Sequence, residues 1–365
     1  MTSTDVRVLL IGLGDLGYRV AAGLADSAGV TDLVCAGGGK NNGEFLAGKL
    51  DSCYDARVRF EPLDGTRQEA VETLIQTTSP HLIVIAASLL NPWEILAAQG
   101  AKDSRIREAG IAVQLPSQLP ILLSVMRAVR AVDFQDPVAS FPWPDGTHPI
   151  LAKLDLAPTI GLGNPGMIML RVRSALRHQF AAEGHAAEPI PLIRILGDAS
   201  TLWSCLAGEA PASQAGCRVY LGEEGVRADY LAYQGHPWPT GFDLNELTAA
   251  SALPVLKALL PGGGPLRFTC PGFKGQPGGY PVRIEGTRID YDFPPGVTLK
   301  EAIAFNTRHA REEGIDNIGD DGTVRFTEHA KKIMADIAPD LTEPLAPDDA
   351  YARFPRLLEV LEVAR

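Results

Sequence analysis

Three glycines near the start of the chain, Gly12, Gly14 and Gly17, have the spacing G-x-G-x-x-G. Gly12 permits a tight turn out of a strand, Gly14 lets a pyrophosphate approach the backbone, and Gly17 lets a helix pack closely on that strand. Asp15 and Leu16 would open the helix, whose free N–H groups and positive dipole end then face the phosphates. The spacing therefore indicates a dinucleotide site, with a glycine turn that binds nothing as the alternative.

The segments on either side of the glycines supply the elements that this site needs. Val6 to Ile11 is an apolar, partly β-branched run, which predicts a buried parallel strand. Tyr18 to Ala25 has the apolar spacing of a helix. Because the glycines lie between a strand and a helix, they stand in the context that the dinucleotide interpretation requires.

The segment after the second predicted strand bears on which dinucleotide fits. It contains Gly37, Gly38, Gly39 and Lys40, whereas folds that prefer NAD usually carry an acid there to hold the ribose hydroxyls. Without that carboxylate a 2′-phosphate is not repelled, and Lys40 would attract it. The segment favours NADP, with NAD as the second choice. The alternative is a flexible glycine loop with an exposed lysine.

A further buried strand is predicted over residues 81–88, and it ends in Ala87 and Ser88. Ligands of open α/β sheets bind beyond the carboxyl ends of the strands, so these two residues should lie beside the cofactor. The connection that follows, residues 89–109, can close over a substrate in such folds.

Composition and charge limit the class of protein. The chain has 365 residues, 45% of them hydrophobic, and this length predicts about two domains. The formal net charge of −11 argues against nucleic acid as a partner, because nucleic-acid binding needs a basic face. We find no run of about 18 apolar residues, so no membrane span is expected.

The N-terminal residues lack the basic and apolar pattern of a secretory signal, and the five cysteines are scattered and odd in number. These features predict a cytoplasmic protein with free thiols. The histidines show no metal-ligand spacing, so no metal is expected.

Strands that alternate with helices over residues 1–154 predict a parallel sheet with helices on its faces, a Rossmann domain. Residues 155–321 predict an α+β substrate domain, with a strand at Ala228–Tyr233 and an antiparallel meander from Leu266 to Phe293. Residues 322–365 predict a C-terminal helical extension.

The order of these elements resembles the lactate/malate dehydrogenase superfamily over most of residues 6–315. Val84–Ala87 is similar to the strand before that family's mobile loop, and Ser140–Pro142 to its S-N-P turn. Gly161–Asn164, followed by Arg171, is similar to its G-x-G-T…L-D-x-x-R segment. The resemblance implies a Rossmann sheet with an α+β domain, a nicotinamide cofactor, hydride transfer, and a homodimer or homotetramer.

The residues that carry the family's proton chemistry are absent. The family pairs a histidine, which moves the proton, with an aspartate that stabilises its charged form. The histidine position falls on Asp198–Ser200, the aspartate position on Ile168, and the asparagine of S-N-P is Phe141. Only Arg171, the family's clamp on the substrate carboxylate, lines up. The resemblance therefore extends to the fold and not to the usual 2-hydroxy-acid chemistry.

Three residues are candidates for the missing chemistry. His148 follows a sharp turn near the sheet edge and would move a proton, with a packing histidine as the alternative. Asp198 would act as acid or base if burial raised its pKa, with a turn or helix-cap aspartate as the alternative. Arg171 would clamp a substrate carboxylate, with an ion pair on the helix as the alternative. Weaker candidates are Asp145, His236 and Thr248.

Together these features predict an NADP-dependent oxidoreductase that acts on a small polar carbonyl, imine or hydroxyl substrate bearing a carboxylate. Two other functions remain as alternatives. One is a dinucleotide-binding protein without catalysis, in a sensing or scaffolding role. The other is an enzyme that uses the bound cofactor without net redox change.

Overall fold

The computed structural model of the chain describes residues 5–93, 101–211, 216–235, 238 and 241–361. Six of the described strands form a parallel sheet in the order β3-β2-β1-β4-β5-β6. They are β1 (Val6–Ile11), β2 (Val30–Gly37), β3 (Arg57–Pro62), β4 (Leu82–Ile85), β5 (Val138–Ser140) and β6 (Ile160–Gly161). This is the strand order of doubly wound dinucleotide-binding folds, so the predicted Rossmann-type α/β class is confirmed.

Helices cover both faces of this sheet, as right-handed crossovers between parallel strands require. They are α1 (Asp15–Ala25), α2 (Lys40–Cys53), α3 (Gln68–Thr78), α4 (Ala101–Ala109), α5 (Leu115–Ala131) and α6 (Thr147–Ala152). Residues 111–131, which include α5, are long and apolar enough to cross a membrane, but 94% of the apolar window is buried inside the protein. This segment is therefore a core helix.

The first sheet extends past residue 154, where the sequence placed the domain boundary. β6 pairs in parallel with β5, Ala139 opposite Ile160 and Ser140 opposite Gly161. A two-residue strand is too short to show a hydrophobic period, so the sequence does not reveal β6. A side chain at Gly161 would meet the carbonyl of Pro271 at 2.5 Å, so glycine lets this strand lie against the second domain.

Two small antiparallel sheets and four helices make up most of the second domain. The strands are β7 (Ile193–Leu196), β8 (Arg218–Leu221), β9 (Val226–Arg227), β10 (Leu266–Pro271), β11 (Gly279–Glu285) and β12 (Arg288–Tyr291). The helices are α7 (Asn164–Ala182), α8 (Ala199–Ala207), α9 (Leu244–Leu259) and α10 (Leu299–Glu312). The predicted meander is present as β10, β11 and β12.

The strand predicted at Ala228–Tyr233 is wrong. The strand that pairs with β8 is the shorter β9, and Asp229–Tyr233 forms a 3-10 helix. The carboxylate of Asp229 accepts a hydrogen bond from the backbone N–H of Val219 at 2.8 Å, which ties the turn to β8. Further 3-10 helices are Ile111–Gln114, Gly241–Asp243, Phe273–Gly275, Pro339–Thr342 and Pro347–Asp349.

The C-terminal residues complete the core of the first domain. β13 (Ile315–Ile318) pairs with β14 (Val324–Phe326), so a strand pair spans the predicted start of the extension at residue 322. The last helices, α11 (Glu328–Met334) and α12 (Ala350–Leu361), pack against α4 and α5 respectively. Their buried side chains join the hydrophobic cluster that includes β4 and α5.

Truncation of Leu357 on α12 tests whether this extension is part of the core. Leu357 is 0% exposed, so we expect Leu357→Ala to lower the free energy of unfolding by roughly 2–5 kcal/mol, from lost burial and a residual cavity. Tyr351→Ala on the same helix is the control, because that side chain is 57% exposed. Urea unfolding measures both. Equal stability of the two variants would show that the extension does not belong to the cooperative unit.

Candidate functional site

A cavity of about 850 Å³ runs along the carboxyl ends of β1, β2 and β4 and continues between the two domains. Its volume is within the range of small-molecule and cofactor sites. One end is lined by the glycine turns after β1 and β2, and the other by residues from α7, α8 and α9. The cavity therefore lies where ligands bind in open α/β sheets.

The glycine turn after β1 forms the floor of the cavity. Gly12 has φ of +106°, and a side chain there would lie 2.6 Å from the carbonyl carbon of Ala86. A side chain at Gly17 would lie 1.8 Å from the carbonyl oxygen of Gly12, so α1 can pack on the turn only with glycine there. Around Gly14 no atom of the described residues lies within 4 Å of the added carbon.

The N-terminus of α1 faces the same space. No side chain caps this helix, and Gly14 precedes it in an extended conformation. The N–H groups of its first turn have no partner within the helix. Asp15 and Leu16 both line the cavity. The Asp15 carboxylate accepts hydrogen bonds from Arg19 Nε at 3.1 Å and Asn245 Nδ2 at 2.9 Å, which ties the turn to α9. An exposed backbone beside a free helix N-terminus fits a pyrophosphate.

The second glycine segment reaches the cavity, but its lysine does not. Gly37, Gly38 and Gly39 line the cavity, whereas Lys40 is not among the lining residues. Lys40 is the first residue of α2, and its Nζ lies 3.9 Å from Glu44 Oε1, one turn further along the helix. The 2′-phosphate contact predicted for Lys40 therefore has no support in the geometry.

An acidic residue that the sequence did not single out lies near these glycines. Asp64 lines the cavity in the loop after β3. The neighbouring Leu63 N–H donates to the carbonyl of Gly37 at 2.9 Å, which sets this loop against the end of β2. Asp64 Oδ1 also accepts from the backbone N–H and the hydroxyl of Thr66, at 3.0 and 2.7 Å. A carboxylate therefore lines the cavity from the loop after β3, although none follows β2, and no local motif reveals this.

The end of β4 lies where the strand rule placed it. Ala87 and Ser88 both line the cavity. The N–H of Ala86 donates to the carbonyl of Ile11 at 2.8 Å, which brings this segment next to the first glycine turn. Ser88 Oγ donates to the carbonyl of Leu90 at 2.9 Å, so its hydroxyl stabilises the start of the following connection.

His148 is a buried packing residue and does not line the cavity. Its Nδ1 lies 3.2 Å from the carbonyl oxygen of Gly272 and therefore donates to it. Its Nε2 then accepts from Ser140 Oγ at 2.6 Å. Burial lowers the pKa of His148 to about 4, so the ring stays neutral near pH 7. Both nitrogens are committed to joining β5 with the loop after β10, which leaves none for a substrate proton.

Asp198 and Arg171 also lie outside the cavity lining. Asp198 caps α8: its Oδ1 accepts from Thr201 N at 3.0 Å and from Ser200 Oγ at 2.8 Å. Burial raises the pKa of Asp198. Arg171 is buried on α7, and its Nε donates to the carbonyl of Ala232 at 2.8 Å. The contacts of Asp198 agree with the alternative of a helix-cap aspartate, whereas the bond of Arg171 to a backbone carbonyl is not the ion pair offered as its alternative.

The weaker candidates have different positions. Thr248 lines the cavity, and its hydroxyl donates to the carbonyl of Leu244 at 3.0 Å. His236 lies outside the described residues. Asp145 is buried one hydrogen bond from the cavity: it accepts from Asn164 Nδ2 at 2.7 Å, and Asn164 lines the cavity. Burial and then the charge of Asp198 raise the pKa of Asp145 to about 7.

Three tryptophans form the wall of the cavity at its far end, and the sequence reading gave them no role. Trp93 follows β4, Trp143 follows β5, and Trp203 lies on α8. Their ring centroids are 5.7 to 6.3 Å apart. Two of them stand in short proline-containing segments, Asn91-Pro92-Trp93 and Pro142-Trp143-Pro144. Nothing in those segments shows that the rings meet, because the contact is made by three separate parts of the chain.

Known proteins match this chain in structure but not in sequence. No protein-family model matches, and no curated protein matches. The malate dehydrogenase from Picrophilus torridus in its apo form superposes with a TM-score of 0.51 at 12% identity, over 91% of this chain and 99% of that one.

Two lactate dehydrogenases give similar results. They are MGS-M5 from a Medee basin deep-sea metagenome library, with a TM-score of 0.48 at 12% identity, and the minor L-lactate dehydrogenase from Enterococcus mundtii, with a TM-score of 0.48 at 15% identity. Each match covers 84% of this chain and 96% of the other. The match to the malate dehydrogenase shows that the chain has a distant lactate/malate dehydrogenase-like fold.

The raised pKa of the buried acid Glu313 predicts that stability depends on pH. Burial, and then the charges of Asp145 and Asp198, raise the pKa of Glu313 well above its usual value. The folded chain therefore keeps a proton that the unfolded chain loses, so stability falls as pH rises above the usual glutamate pKa. We expect Glu313→Gln, which cannot ionise, to reduce the drop in melting temperature between about pH 5.5 and about pH 8.5.

The control for this prediction is Glu44→Gln, because the Glu44 side chain is 54% exposed on α2. Differential scanning calorimetry of the three proteins across this pH range gives the comparison. If Glu313→Gln and the unmodified chain lose the same number of degrees, Glu313 does not hold a proton in the folded state.

Proposed function

We propose that the protein binds a nicotinamide dinucleotide along the glycine turns and acts as an oxidoreductase on a small carbonyl, imine or hydroxyl compound. The observation that carries the proposal is the open backbone at Gly14, beside an uncapped helix N-terminus and a cavity that reaches both domains. The distant lactate/malate dehydrogenase-like fold supports it. When bound, the cofactor would supply or accept a hydride at the substrate carbon, and the accompanying proton would come from or pass to solvent water in the open cavity.

The residues that would hold the cofactor follow from the lining of the cavity. The first-turn N–H groups of α1 would receive the pyrophosphate. Gly37 and Asp64 would flank the adenosine ribose, and Ala87 and Ser88 would lie along the nicotinamide side. These assignments rest on the strand rule for open α/β sheets and on the cavity lining.

We propose NAD in place of NADP as the preferred cofactor. None of the described residues that line the cavity is lysine, arginine or histidine, so a 2′-phosphate would find no counter-charge there. Asp64 instead places a carboxylate beside Gly37. A carboxylate accepts hydrogen bonds from ribose hydroxyls and repels a phosphate. The predicted carboxylate on the substrate depends on Arg171 as its clamp. Because Arg171 is not among the described lining residues, the geometry does not support that carboxylate.

A binding protein without redox turnover is the second candidate function. It is favoured by one observation: among the described lining residues, the titratable side chains are the carboxylates of Asp15 and Asp64. At the substrate end the lining polar groups are the neutral side chains of Ser88, Asn91, Gln118, Asn164, Asn245 and Thr248. Stoichiometric change between NADH and NAD⁺ with a converted substrate separates the oxidoreductase from this candidate.

Titration with both cofactors tests the NAD preference. We expect NADH to bind more tightly than NADPH, and Asp64→Asn to reduce that ratio by roughly fivefold, the worth of one partly exposed charge interaction. Asparagine keeps an Oδ1 for the turn with Thr66, so the loop geometry is retained. Asp26→Asn, at an exposed position at the end of α1, is the control. Tighter binding of NADPH by the unmodified chain would overturn this part of the proposal.

A methyl group at Gly14 tests the pyrophosphate position. The space around Gly14 is open, so Gly14→Ala should fold with little change in melting temperature. It should weaken NADH binding by about 10-fold, because the methyl group occupies the approach to the backbone. Gly48→Ala on α2 is the matched control, since the space around Gly48 is open as well. Unchanged NADH affinity in Gly14→Ala would place the cofactor elsewhere.

A further inference from the structure

The far end of the cavity is a rigid aromatic surface, here called the tryptophan wall, formed by Trp93, Trp143 and Trp203. The rings of Trp143 and Trp203 meet at 84° and those of Trp93 and Trp203 at 89°, both edge to face. Trp93 and Trp143 are tilted by 45°. Centroid separations of 5.7 to 6.3 Å are those of directly packed aromatic pairs, so the three rings form one continuous surface.

Hydrogen bonds from the protein fix the orientation of two of the rings. Trp93 Nε1 donates to Asn245 Oδ1 at 2.8 Å, and Trp143 Nε1 donates to Gln114 Oε1 at 3.3 Å. Gln114 is fully buried, so the acceptor of the Trp143 hydrogen bond belongs to the packed interior. Rings that are already ordered lose little conformational freedom when a ligand packs on them. The rings of the wall are therefore already ordered for a ligand to pack on them.

The described lining residues around the wall offer no cationic group. Its apolar neighbours in the cavity are Phe141, Pro142, Met167, Leu202 and Leu244. The Asp15 carboxylate is linked to the wall through Asn245, which donates to Asp15 at 2.9 Å and accepts from Trp93 at 2.8 Å, so the nearest lining charge is negative. A ligand carboxylate placed here would lose its water without gaining a cationic partner from the described lining residues. The rings pack directly on one another, so they also leave no open cage for an organic cation.

We propose that the substrate presents an uncharged aromatic ring to the tryptophan wall, and that Trp93, Trp143 and Trp203 select it over carboxylate-bearing compounds. This inference rests on the proposed function, because the reacting carbonyl or hydroxyl must lie between the wall and the cofactor. Asn164 and Gln118 line the cavity, and their NH2 groups donate to Asp145 and to Leu90 and Ser117, so their amide oxygens would accept a hydrogen bond from the hydroxyl of such a compound. The substrate class is therefore an aryl alcohol or its aryl carbonyl counterpart.

Calorimetric titration of the NAD⁺-loaded protein tests this class with three probes. They are 1-phenylethanol, mandelate, which carries a carboxylate in place of the methyl group, and 1-cyclohexylethanol, which lacks the aromatic ring. We expect 1-phenylethanol to bind, mandelate to bind at least about 10-fold more weakly, and 1-cyclohexylethanol roughly 2- to 10-fold more weakly. Mandelate binding as tightly as 1-phenylethanol, or failure of all three probes to bind, would overturn the inference.

Variants of Trp203 show whether the wall makes the contact. Trp203→Leu should weaken 1-phenylethanol binding by roughly 2- to 10-fold, and Trp203→Phe should recover most of the loss because an aromatic face is restored. Trp238→Phe is the control, since Trp238 is not among the lining residues. Equal affinity of Trp203→Leu and the unmodified chain would remove the wall from the substrate site.

A separate NADH titration of each variant distinguishes the two levels of inference. If the unmodified chain binds no NADH, the proposed function fails before the substrate class is reached. Suppose that the unmodified chain binds NADH and that Trp203→Leu lowers the affinities for NADH and for 1-phenylethanol by the same factor. The wall then contacts the nicotinamide ring, and the substrate inference is overturned. A loss confined to 1-phenylethanol supports the tryptophan wall as the substrate subsite.

Discussion

The close contact between the carbonyl of Gly12 and the α-carbon of Gly17 is the constraint on which the rest of the site depends. A single methyl group at Gly17 would lie 1.8 Å from the Gly12 oxygen, so the first helix can start there only without a side chain. The same turn packs against the chain at Ala86, which fixes β4 relative to β1. Because this packing needs no capping side chain, the first-turn N–H groups of α1 stay directed at the cavity.

Buried polar residues hold the opposite wall of the cavity in place. Asp145 accepts from Asn164 and from the N–H of Ala199, so one carboxylate joins the starts of α7 and α8. His148 joins Ser140 with Gly272 in a similar way. These hydrogen bonds offset the free-energy cost of burying the polar groups. The buried side chains His148 and Asp145 therefore hold segments of the fold together, while the cavity is lined by glycines, neutral amides, aromatic rings and the carboxylates of Asp15 and Asp64.

This distribution of side chains limits what the cavity can bind. A cavity with acids at its dinucleotide end and indoles at its far end gives anionic groups no counter-charge among the described residues. The formal net charge of −11 acts in the same direction over the whole chain. A shared strand order thus leaves the chemistry of the substrate end unspecified, because ligand selection depends on the side chains that the loops and helices place there.

The sequence by itself determined the parallel sheet, the first glycine turn and the strand ends beside it. These are local features, in which period, β-branching and glycine spacing act within a few residues of one another. The tertiary structure alone decided the rest of the site. Asp64 joins the lining in a loop that the Leu63 N–H holds to Gly37, and the indoles of Trp93, Trp143 and Trp203 meet from three distant segments. The burial of His148, Arg171 and Asp198 likewise depends on which face each helix turns inward, because a residue's type shows what it can do but only packing decides what it touches.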